Sequence, residues 1–148
     1  MSPFVIEHVH EIEAPAERVW QVIVELDRYP EWNPFVVACR STLAVGAPIE
    51  MRVRVFPFFA QPQREQIFEH VPGRRLCYGL PGRPLGALAS RRCHELEPLS
   101  PARSRYRSRF ELSGRLAPLV RLLLGARLRA GFAAMSAGIR TRAETLIQ

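Results

Sequence analysis

The chain has 148 residues, a mass of 16.8 kDa and a formal net charge of +7, with 47% apolar and 24% charged residues. This length predicts a single domain over residues 1–148 with a sizeable core, and the composition excludes a disordered chain. All 21 basic residues are arginine, and the absence of lysine excludes Schiff-base chemistry and a P-loop lysine.

The cysteines and the N-terminal segment indicate the cellular compartment of the protein. Cys39, Cys77 and Cys93 show no CxxC spacing, which argues against a disulfide framework and a zinc ribbon. They are predicted to be buried apolar thiols in a reducing, cytoplasmic compartment. No basic segment precedes an apolar one at residues 1–7, so a signal peptide is not expected. The longest apolar run, residues 122–124 with its flanks, is far shorter than the roughly 20 residues that cross a bilayer.

The first quarter of the chain predicts a strand, a helix and a loop. Residues 4–12 follow a period-two pattern, which indicates a strand with His8 and His10 on the same face. Ala14-Pro15 then opens a helix, because proline suits the first helical position. Two prolines interrupt residues 27–34, so a loop with one short turn is expected there.

The middle of the chain predicts a sheet, and the end predicts a helix. Short turns such as Pro72-Gly73 separate the middle segments, which is typical of an antiparallel sheet. Six further strands are expected at residues 35–43, 49–56, 64–71, 75–80, 88–96 and 103–112, with a loop at residues 81–86. Residues 116–147 predict a long helix, in which Gly125, Gly131 and Gly138 lower the helix propensity. Its apolar stripe consists of Leu124, Leu128, Phe132, Met135, Ile139 and Leu146.

The order of these elements and one long motif resemble a known family. Residues 12–35, IEAPAERVWQVIVELDRYPEWNPF, are similar to the opening of the SRPBCC, or START-like, superfamily in its polyketide cyclase/dehydrase branch. Two later segments, residues 94–96 (HEL) and 110–114 (FELSG), resemble the final hairpin of that family. The resemblance covers essentially the whole chain. The matching positions of the motif are Ala14, Pro15, Val19, Trp20, Asp27, Tyr29, Pro30, Trp32, Asn33 and Pro34.

The resemblance implies an α+β helix-grip fold, in which an antiparallel sheet of about seven strands curves around the C-terminal helix. It also implies an apolar cavity between the sheet and that helix. Members of the family bind lipids, sterols, plant hormones or polyketides, and some cyclise or dehydrate them without a shared catalytic triad. By the same resemblance Trp32 is expected at the mouth of the cavity, or else as an anchor that pins its loop to the sheet. A fold shared by many functions predicts no mechanism by itself.

Strand periodicity predicts which side chains face the cavity. If the helix stripe faces the sheet, inward positions alternate along each strand, and Arg105, Arg107 and Arg109 point outward. An apolar pocket with a few convergent polar groups is typical of small-molecule sites, and a packed core without a void is the alternative. The predicted ligand-binding residues are Trp32, Met51, Val53, Val55, Tyr78, Arg92, His94, Tyr106, Ser108, Phe110, Leu128, Phe132 and Met135.

Histidines and one tyrosine are the candidates for acid–base chemistry. A titratable group inside an apolar cavity can move protons, which makes His10, His94 and Tyr106 candidate catalytic residues. Hydrogen bonding to neighbours, or partial exposure at a strand end, is the structural alternative for the histidines. The spacing of His8 and His10 also suits two imidazoles on one metal, but no further ligand completes such a site. Neither a metal nor a cofactor is expected.

Arg92 is the candidate anion-binding residue. On the inward side of its strand, the guanidinium would hold a carboxylate or an enolate of a ligand through two parallel hydrogen bonds. A one-residue bulge in the strand would turn the side chain to solvent instead. This second outcome is the one expected from the sequence.

The charge is distributed unevenly along the chain. Residues 1–33 contain seven acidic residues and two arginines (−5), whereas residues 101–142 contain ten arginines and one glutamate (+9). Arginines scattered over solvent-facing positions are the simplest explanation, and a surface for an anionic partner is the functional alternative. The stripe at residues 103–109 lacks exposed aromatic residues, which argues against nucleic-acid binding. Residues 119–132 are apolar and basic and could contact an anionic membrane transiently, although a core helix is the stronger interpretation.

These observations lead to three hypotheses. The first is binding of a hydrophobic small molecule, such as a lipid, a polyketide or an aromatic compound, between the sheet and the C-terminal helix. The second is an enzyme of the polyketide cyclase or dehydratase type that moves protons with histidine or tyrosine residues of the cavity. The third is a basic module that acts on membrane or nucleic acid. The first is preferred because the sequence offers a cavity but no acid–base pair; it leaves the ligand's identity and the oligomeric state open.

Overall fold

The computed structural model describes residues 3–82 and 86–145. Within these residues the order of the elements is the one expected from the sequence. The bounds are β1 Phe4–Ile12, α1 Ala16–Val24, a 3-10 helix Leu26–Glu31, β2 Val36–Arg40, β3 Pro48–Phe56, β4 Phe59–Val71, β5 Arg75–Gly79, β6 Ala89–Ser100, β7 Arg103–Ser113 and α2 Ala117–Thr145. Residues 83–85 of the expected loop and Leu146 of the expected helix stripe lie outside the described residues.

The seven strands form one antiparallel sheet in the order β1-β7-β6-β5-β4-β3-β2. β1 and β2 lie at opposite edges, and α1 with the 3-10 helix connects them. The sheet curls into a half-barrel, and α2 packs against its concave side. The helix-grip fold implied by the resemblance is therefore confirmed.

Two strands are longer than the sequence indicates, and each contains a proline. Proline lacks the N–H that a strand between two partners must donate, so it is expected only where one side of the strand is unpaired. β4 contains Pro62 in a stretch that pairs with β3 alone, because pairing with β5 begins at Gln66. β6 contains Pro98, which pairs with β7 beyond the point where pairing with β5 ends at Glu95. Both prolines are accommodated for the same reason.

The motif residues fix the turn from α1 into β2. The Tyr29 hydroxyl donates a hydrogen bond of 2.6 Å to the Ile23 carbonyl at the end of α1. The Asn33 side-chain oxygen accepts hydrogen bonds from the amides of Phe35 and Val36, at 3.0 and 2.9 Å. Side-chain caps of this kind satisfy buried backbone groups that have no partner in a helix or sheet. These motif positions therefore specify the fold.

The helix α2 buries the predicted stripe and uses its glycines for close packing. Leu128, Phe132, Met135 and Ile139 are all buried against the sheet. A Cβ atom added at Gly131 would overlap the buried Phe35 ring, and one added at Gly138 would lie 3.0 Å from the Trp32 ring. The glycines that lower helix propensity thus allow two aromatic rings to approach the helix backbone.

The structure corrects the expectation of three free thiols. Cys77 on β5 and Cys93 on β6 are directly opposite in the antiparallel register, with Cα atoms 4.2 Å apart, and they form a disulfide. This separation is short for a disulfide but suits directly opposed residues of neighbouring antiparallel strands. Cys39 is the free cysteine of the described residues, and burial raises the pKa of its thiol to about 12. The disulfide removes one ground for expecting a reducing compartment.

The outward arginines of β5, β6 and β7 are paired with glutamates on the solvent-facing side of the sheet. Arg103 lies 2.7 Å from Glu11, and Arg109 lies 3.1 Å from Glu7, so the basic strand β7 is neutralised by the acidic strand β1. Further ion pairs on this face join Arg75 to Glu69 and Glu95, Arg91 to Glu69, and Arg105 to Glu97. The opposite charges of the two ends of the chain therefore meet on the convex face of the sheet.

Candidate functional site

A cavity of about 310 Å³ lies between the sheet and the first half of α2. Six strands, β2 to β7, and α2 contribute to its wall, and most of the lining side chains are apolar or aromatic. The apolar and aromatic lining consists of Phe35, Val36, Met51, Val53, Val55, Tyr78, Leu80, Leu88, Phe110, Leu112, Val120, Leu124, Leu128 and Phe132. The polar lining consists of Gln61, Gln63, Glu65, Ser90 and Arg92.

One end of the cavity is buried and the other reaches the surface. Tyr78 and Arg92 are only 4% and 3% exposed. Val55 and Val120 are half-buried, and Gln61 is exposed. The rim of the cavity therefore lies between the β3–β4 hairpin and the beginning of α2. A molecule that enters there would meet an apolar wall first and Arg92 last.

Among the described residues Arg92 is a buried cation without a counter-ion, and the sequence expectation that it faces solvent is wrong. Pairing of β6 with β7 is continuous from Ala89 to Pro98, so no bulge turns the side chain outward. Within the described residues its Nε and Nη1 atoms have no hydrogen-bond partner. Its Nη2 donates to the Met135 sulfur at 3.6 Å, and its guanidinium carbon lies 4.4 Å from the centre of the Phe132 ring. These contacts orient the guanidinium without neutralising its charge.

Glu65 and Gln63 add a second polar group to the cavity wall. Both side chains lie on β4, and Gln63 Nε2 donates a hydrogen bond of 3.0 Å to Glu65 Oε2. Burial raises the pKa of the Glu65 carboxyl, while the Gln63 hydrogen bond and the positive charge of Arg92 act in the opposite direction. Within the described residues Glu65 and Arg92 are not in ion-pair contact. The cavity thus offers a cation and a carboxyl that a ligand could contact separately.

A chain of hydrogen bonds lies behind the buried end of the cavity. The Tyr78 hydroxyl is 3.0 Å from His94 Nε2, and the Tyr106 hydroxyl is 2.7 Å from His94 Nδ1. Burial, and then the charge of Arg92, hold the pKa of His94 well below its usual range, so the imidazole is neutral. Burial raises the pKa of both tyrosines. A neutral imidazole has one donor and one acceptor nitrogen, so it bonds one tyrosine in each sense.

Eight of the predicted ligand-binding residues line the cavity, and five do not. Those on the wall are Met51, Val53, Val55, Tyr78, Arg92, Phe110, Leu128 and Phe132. His94, Tyr106, Ser108 and Met135 are fully buried behind the wall, so they support it without facing the void. Trp32 lies outside the cavity, against Gly138 and edge-on to Tyr29 at 5.1 Å between ring centres. This position matches the anchoring alternative.

The candidate catalytic residues are separated from the cavity. His10 is half-buried on β1 and does not line the void, and burial followed by the charge of Arg140 lowers its pKa. His94 is hydrogen bonded to Tyr78, which lines the cavity, and to Tyr106, which like His94 lies behind the wall. In residues 3–82 and 86–145 no three His, Cys, Asp or Glu side chains are grouped as metal ligands would be.

Sequence reasoning missed the polar residues contributed by β4. Gln61, Gln63 and Glu65 alternate along the strand and all face the void. The signal was present as a period-two pattern, but Pro62 interrupts it and hides the start of the strand. The start of β4 could have been predicted only with the knowledge that the segment around Pro62 pairs with one neighbouring strand.

Comparisons with known proteins agree with this geometry. Residues 3–144 match the model of the family described as polyketide cyclase/dehydrase and lipid transport. A search of curated proteins finds no sequence match. The structure is similar to the Zhui aromatase/cyclase from Streptomyces sp. R1128, with a TM-score of 0.81 and 16% identity over 99% of this chain and 96% of that one.

Two further solved structures show the same fold. A START superfamily protein from Mycobacterium smegmatis has a TM-score of 0.72 and 17% identity, over 96% of this chain and 98% of that one. Norcoclaurine synthase from Thalictrum flavum has a TM-score of 0.72 and 16% identity, over 100% and 99% of the two chains. At these identities the similarity establishes the fold, and the family model covers nearly the entire sequence. The chain belongs to the family described as polyketide cyclase/dehydrase and lipid transport.

Proposed function

We propose that the protein binds an apolar small molecule in the cavity and holds an anionic oxygen of that molecule at Arg92. The observation that carries the proposal is the position of Arg92, which is buried at the end of an apolar void with two unpartnered nitrogen atoms. An uncompensated buried charge is costly, and a carboxylate or enolate would satisfy it through charge-assisted hydrogen bonds. The family description, which includes lipid transport, supports a ligand of this apolar class.

The size and lining of the cavity support a compact ligand. A volume of about 310 Å³ lies at the lower end of the range for small-molecule sites. Phe110 stacks on Phe132 at 4.6 Å between ring centres, and Phe35 meets Phe132 edge-on at 5.0 Å. Such an aromatic wall suits an aromatic or polyketide-like skeleton better than a long, flexible lipid chain.

Filling the void tests this proposal. Val53 is half-buried and faces the cavity, so Val53→Trp should occupy the space that a ligand needs. The uptake of the neutral probe N-phenyl-1-naphthylamine, followed by its fluorescence, is expected to fall by about tenfold or more, since most of its buried apolar surface is lost. Val45→Trp is the matched control, because Val45 is 65% exposed in the turn before β3, far from the rim. Equal uptake by the two variants would place the probe outside the cavity.

A cyclase or dehydratase is the second candidate function. Tyr78 and Glu65 both face the void, and Tyr78 connects it to His94 through a hydrogen bond. Zhui is an aromatase/cyclase and StfQ is a di-domain ARO/CYC protein, and their structural similarity to this chain supports the same class of reaction. His94 and Tyr106 are buried behind the wall and do not line the void, so binding is preferred over catalysis.

The second candidate predicts turnover that depends on the cavity polar groups. With a reactive poly-β-ketone substrate, cyclisation with loss of water should proceed faster with the protein than without it. Tyr78→Phe and Glu65→Gln should each lower that rate by about a hundredfold or more, the range of a general acid–base contribution. If the wild-type protein binds the neutral probe but does not raise the cyclisation rate above that of the reaction without protein, the cyclase hypothesis is contradicted and the binding proposal stands.

A further inference from the structure

Exposed apolar residues are concentrated around the rim of the cavity. Of the nine large hydrophobic residues that are exposed in residues 3–82 and 86–145, six lie in the β3–β4 hairpin or at the start of α2. We call them the rim patch: Phe58, Phe59, Leu116, Leu119, Leu122 and Leu123. Phe58 and Leu122 are 85% and 80% exposed. Single exposed apolar residues need no explanation, but a cluster beside a cavity indicates a contact surface.

The first half of α2 is apolar on both sides. Leu124 and Leu128 face the cavity, whereas Leu119, Leu122 and Leu123 face away from it. By length and composition alone, α2 is long and apolar enough to suit a membrane span. A spanning orientation conflicts with the packing of α2 in the half-barrel. A helix with one side on the protein and a second apolar side in contact with lipid would lie in the plane of the interface.

Three arginines of α2 beside the rim patch have no acidic partner among the described residues. Arg121, Arg127 and Arg129 of α2 make no ion pair with a described residue, and α2 contains no acidic residue before Glu144. Their guanidinium groups lie over aromatic rings instead: Arg121 and Arg129 over Phe4, and Arg127 at 5.0 Å over Phe56. On the convex face, by contrast, the arginines of β5, β6 and β7 are paired with glutamates. The first half of α2 therefore carries three positive charges that no acidic side chain of the described residues offsets.

The combination favours a lipid surface over a second copy of the chain. A symmetric dimer through the rim patch would bring two sets of these arginines together without acidic residues to offset them. Anionic headgroups would neutralise the arginines while the leucines and phenylalanines enter the interface. Val120 and Leu124 line the cavity beside the exposed Leu119 and Leu123, so the apolar surface is continuous from the patch into the void.

We propose that the protein docks on an anionic membrane through the rim patch, with the mouth of the cavity facing the bilayer. This orientation gives an apolar ligand a path from lipid to cavity that avoids water. The docking requires no ligand, so its test is separate from the test of the cavity. The surface would be a peripheral contact, reversible and dependent on salt, because it combines a few apolar side chains with exposed charges.

Vesicle sedimentation tests the docking. Vesicles of equal parts phosphatidylcholine and phosphatidylglycerol should bind the wild-type protein. Vesicles of phosphatidylcholine alone should bind it at least about tenfold more weakly, since they offer no anionic headgroups to the arginines of α2. Binding should weaken about tenfold or more between roughly 0.05 and 0.5 M salt. The double variant Leu122→Gln, Leu123→Gln should lower the affinity by about tenfold or more, through lost apolar insertion. Both positions are exposed, so its melting temperature should equal that of the wild type.

A matched variant and two outcomes make the test decisive. Val45→Gln with Val71→Gln removes two exposed apolar residues away from the rim, at 65% and 44% exposure, and should leave vesicle binding unchanged. Absence of binding to the anionic vesicles at low salt would overturn the proposal. A dimer in sedimentation velocity that dissociates in the Leu122→Gln, Leu123→Gln variant, without vesicle binding, would also overturn it and assign the patch to a second copy of this chain.

Discussion

The two halves of the half-barrel interior differ in how they are filled. Under the second half of α2 the interior is close-packed: Met135, Ile139, His94 and Tyr106 are all fully buried, and the polar groups of His94 are hydrogen bonded. Under the first half the interior contains the 310 Å³ void and the unpaired Arg92. Protein interiors are normally filled to crystal-like density, and buried charges are normally paired. The packed half therefore carries the stability of the fold, and the hollow half carries the features of a binding site.

The largest expected effect lies in the packed half. His94→Leu leaves the buried hydroxyls of Tyr78 and Tyr106 without their partner, so the free energy of unfolding should fall by about 2–4 kcal/mol. Val53→Ala in the hollow half removes carbon atoms that already face a void, so its loss should stay below about 1 kcal/mol. Urea unfolding of both variants measures the difference. Similar losses would show that the two halves do not differ in packing.

Arg92→Met should raise the free energy of unfolding, whereas most core substitutions lower it. It removes an uncompensated buried charge and fills the same space with an apolar side chain, so the free energy of unfolding should rise by about 1–3 kcal/mol. Arg91→Met on the convex face removes an exposed ion pair with Glu69, so the free energy of unfolding should fall by about 1 kcal/mol or less. A large loss of stability in Arg92→Met would mean that Arg92 has a structural partner within the fold.

Substitutions at two glycines of α2 distinguish the effect of close packing on stability from the effect of helix propensity. Gly131→Ala should lower the free energy of unfolding by about 1–3 kcal/mol, because its Cβ would displace the buried Phe35 ring at the cavity wall. Gly125→Ala should raise it by up to about 1 kcal/mol, because its Cβ would lie 3.6 Å from Phe4 Cζ, an ordinary contact, and helix propensity improves. Thermal unfolding of the pair measures both signs. Stabilisation by both substitutions would contradict the packing of Phe35 against the helix.

The pH dependence of stability reports on His94. Its folded-state pKa lies well below the ordinary 6.5, so the unfolded chain binds a proton that the folded chain does not as the pH falls below 6.5. The stability that the neutral imidazole contributes is therefore present above pH 6.5 and is lost towards lower pH, by up to about 1.4 kcal/mol per pH unit. His94→Gln should flatten this slope in urea unfolding. If the slope is unchanged in His94→Gln, the pH dependence of stability arises from His8 and His10 instead, whose pKa values are also lowered.

The fold was predictable from the sequence because its signals are local. The period-two pattern of β1, the proline at the start of α1 and the α2 stripe each depend on neighbouring residues only, and the motif around Tyr29 and Asn33 carries hydrogen bonds within its own turn. Residues such as Met51 and Phe132 were assigned to the cavity wall by the same periodicity.

The site was less predictable because its features depend on register and pairing. The orientation of Arg92 depends on an unbroken β6–β7 ladder, and the Cys77–Cys93 disulfide depends on the β5–β6 register, neither of which spacing alone determines. Gln61 and Gln63 were missed because Pro62 hides the start of β4, and Glu65 was missed because no face of the expected strand 64–71 was assigned to the cavity. Whether His94 faces a void or a packed neighbour depends on side-chain volumes across the whole interior.

The measurement that tests the central claim most directly compares an anionic probe with a neutral one. 8-Anilinonaphthalene-1-sulfonate and N-phenyl-1-naphthylamine share a skeleton and differ by one sulfonate, and their fluorescence titrations give both dissociation constants. With Arg92 at the end of the cavity, the wild type should prefer the sulfonate by about ten- to a hundredfold, as charge-assisted hydrogen bonds predict, and Arg92→Met should remove the preference while Arg91→Met keeps it. The same preference in the wild type and in Arg92→Met would contradict the assignment of Arg92 as the anion-binding group.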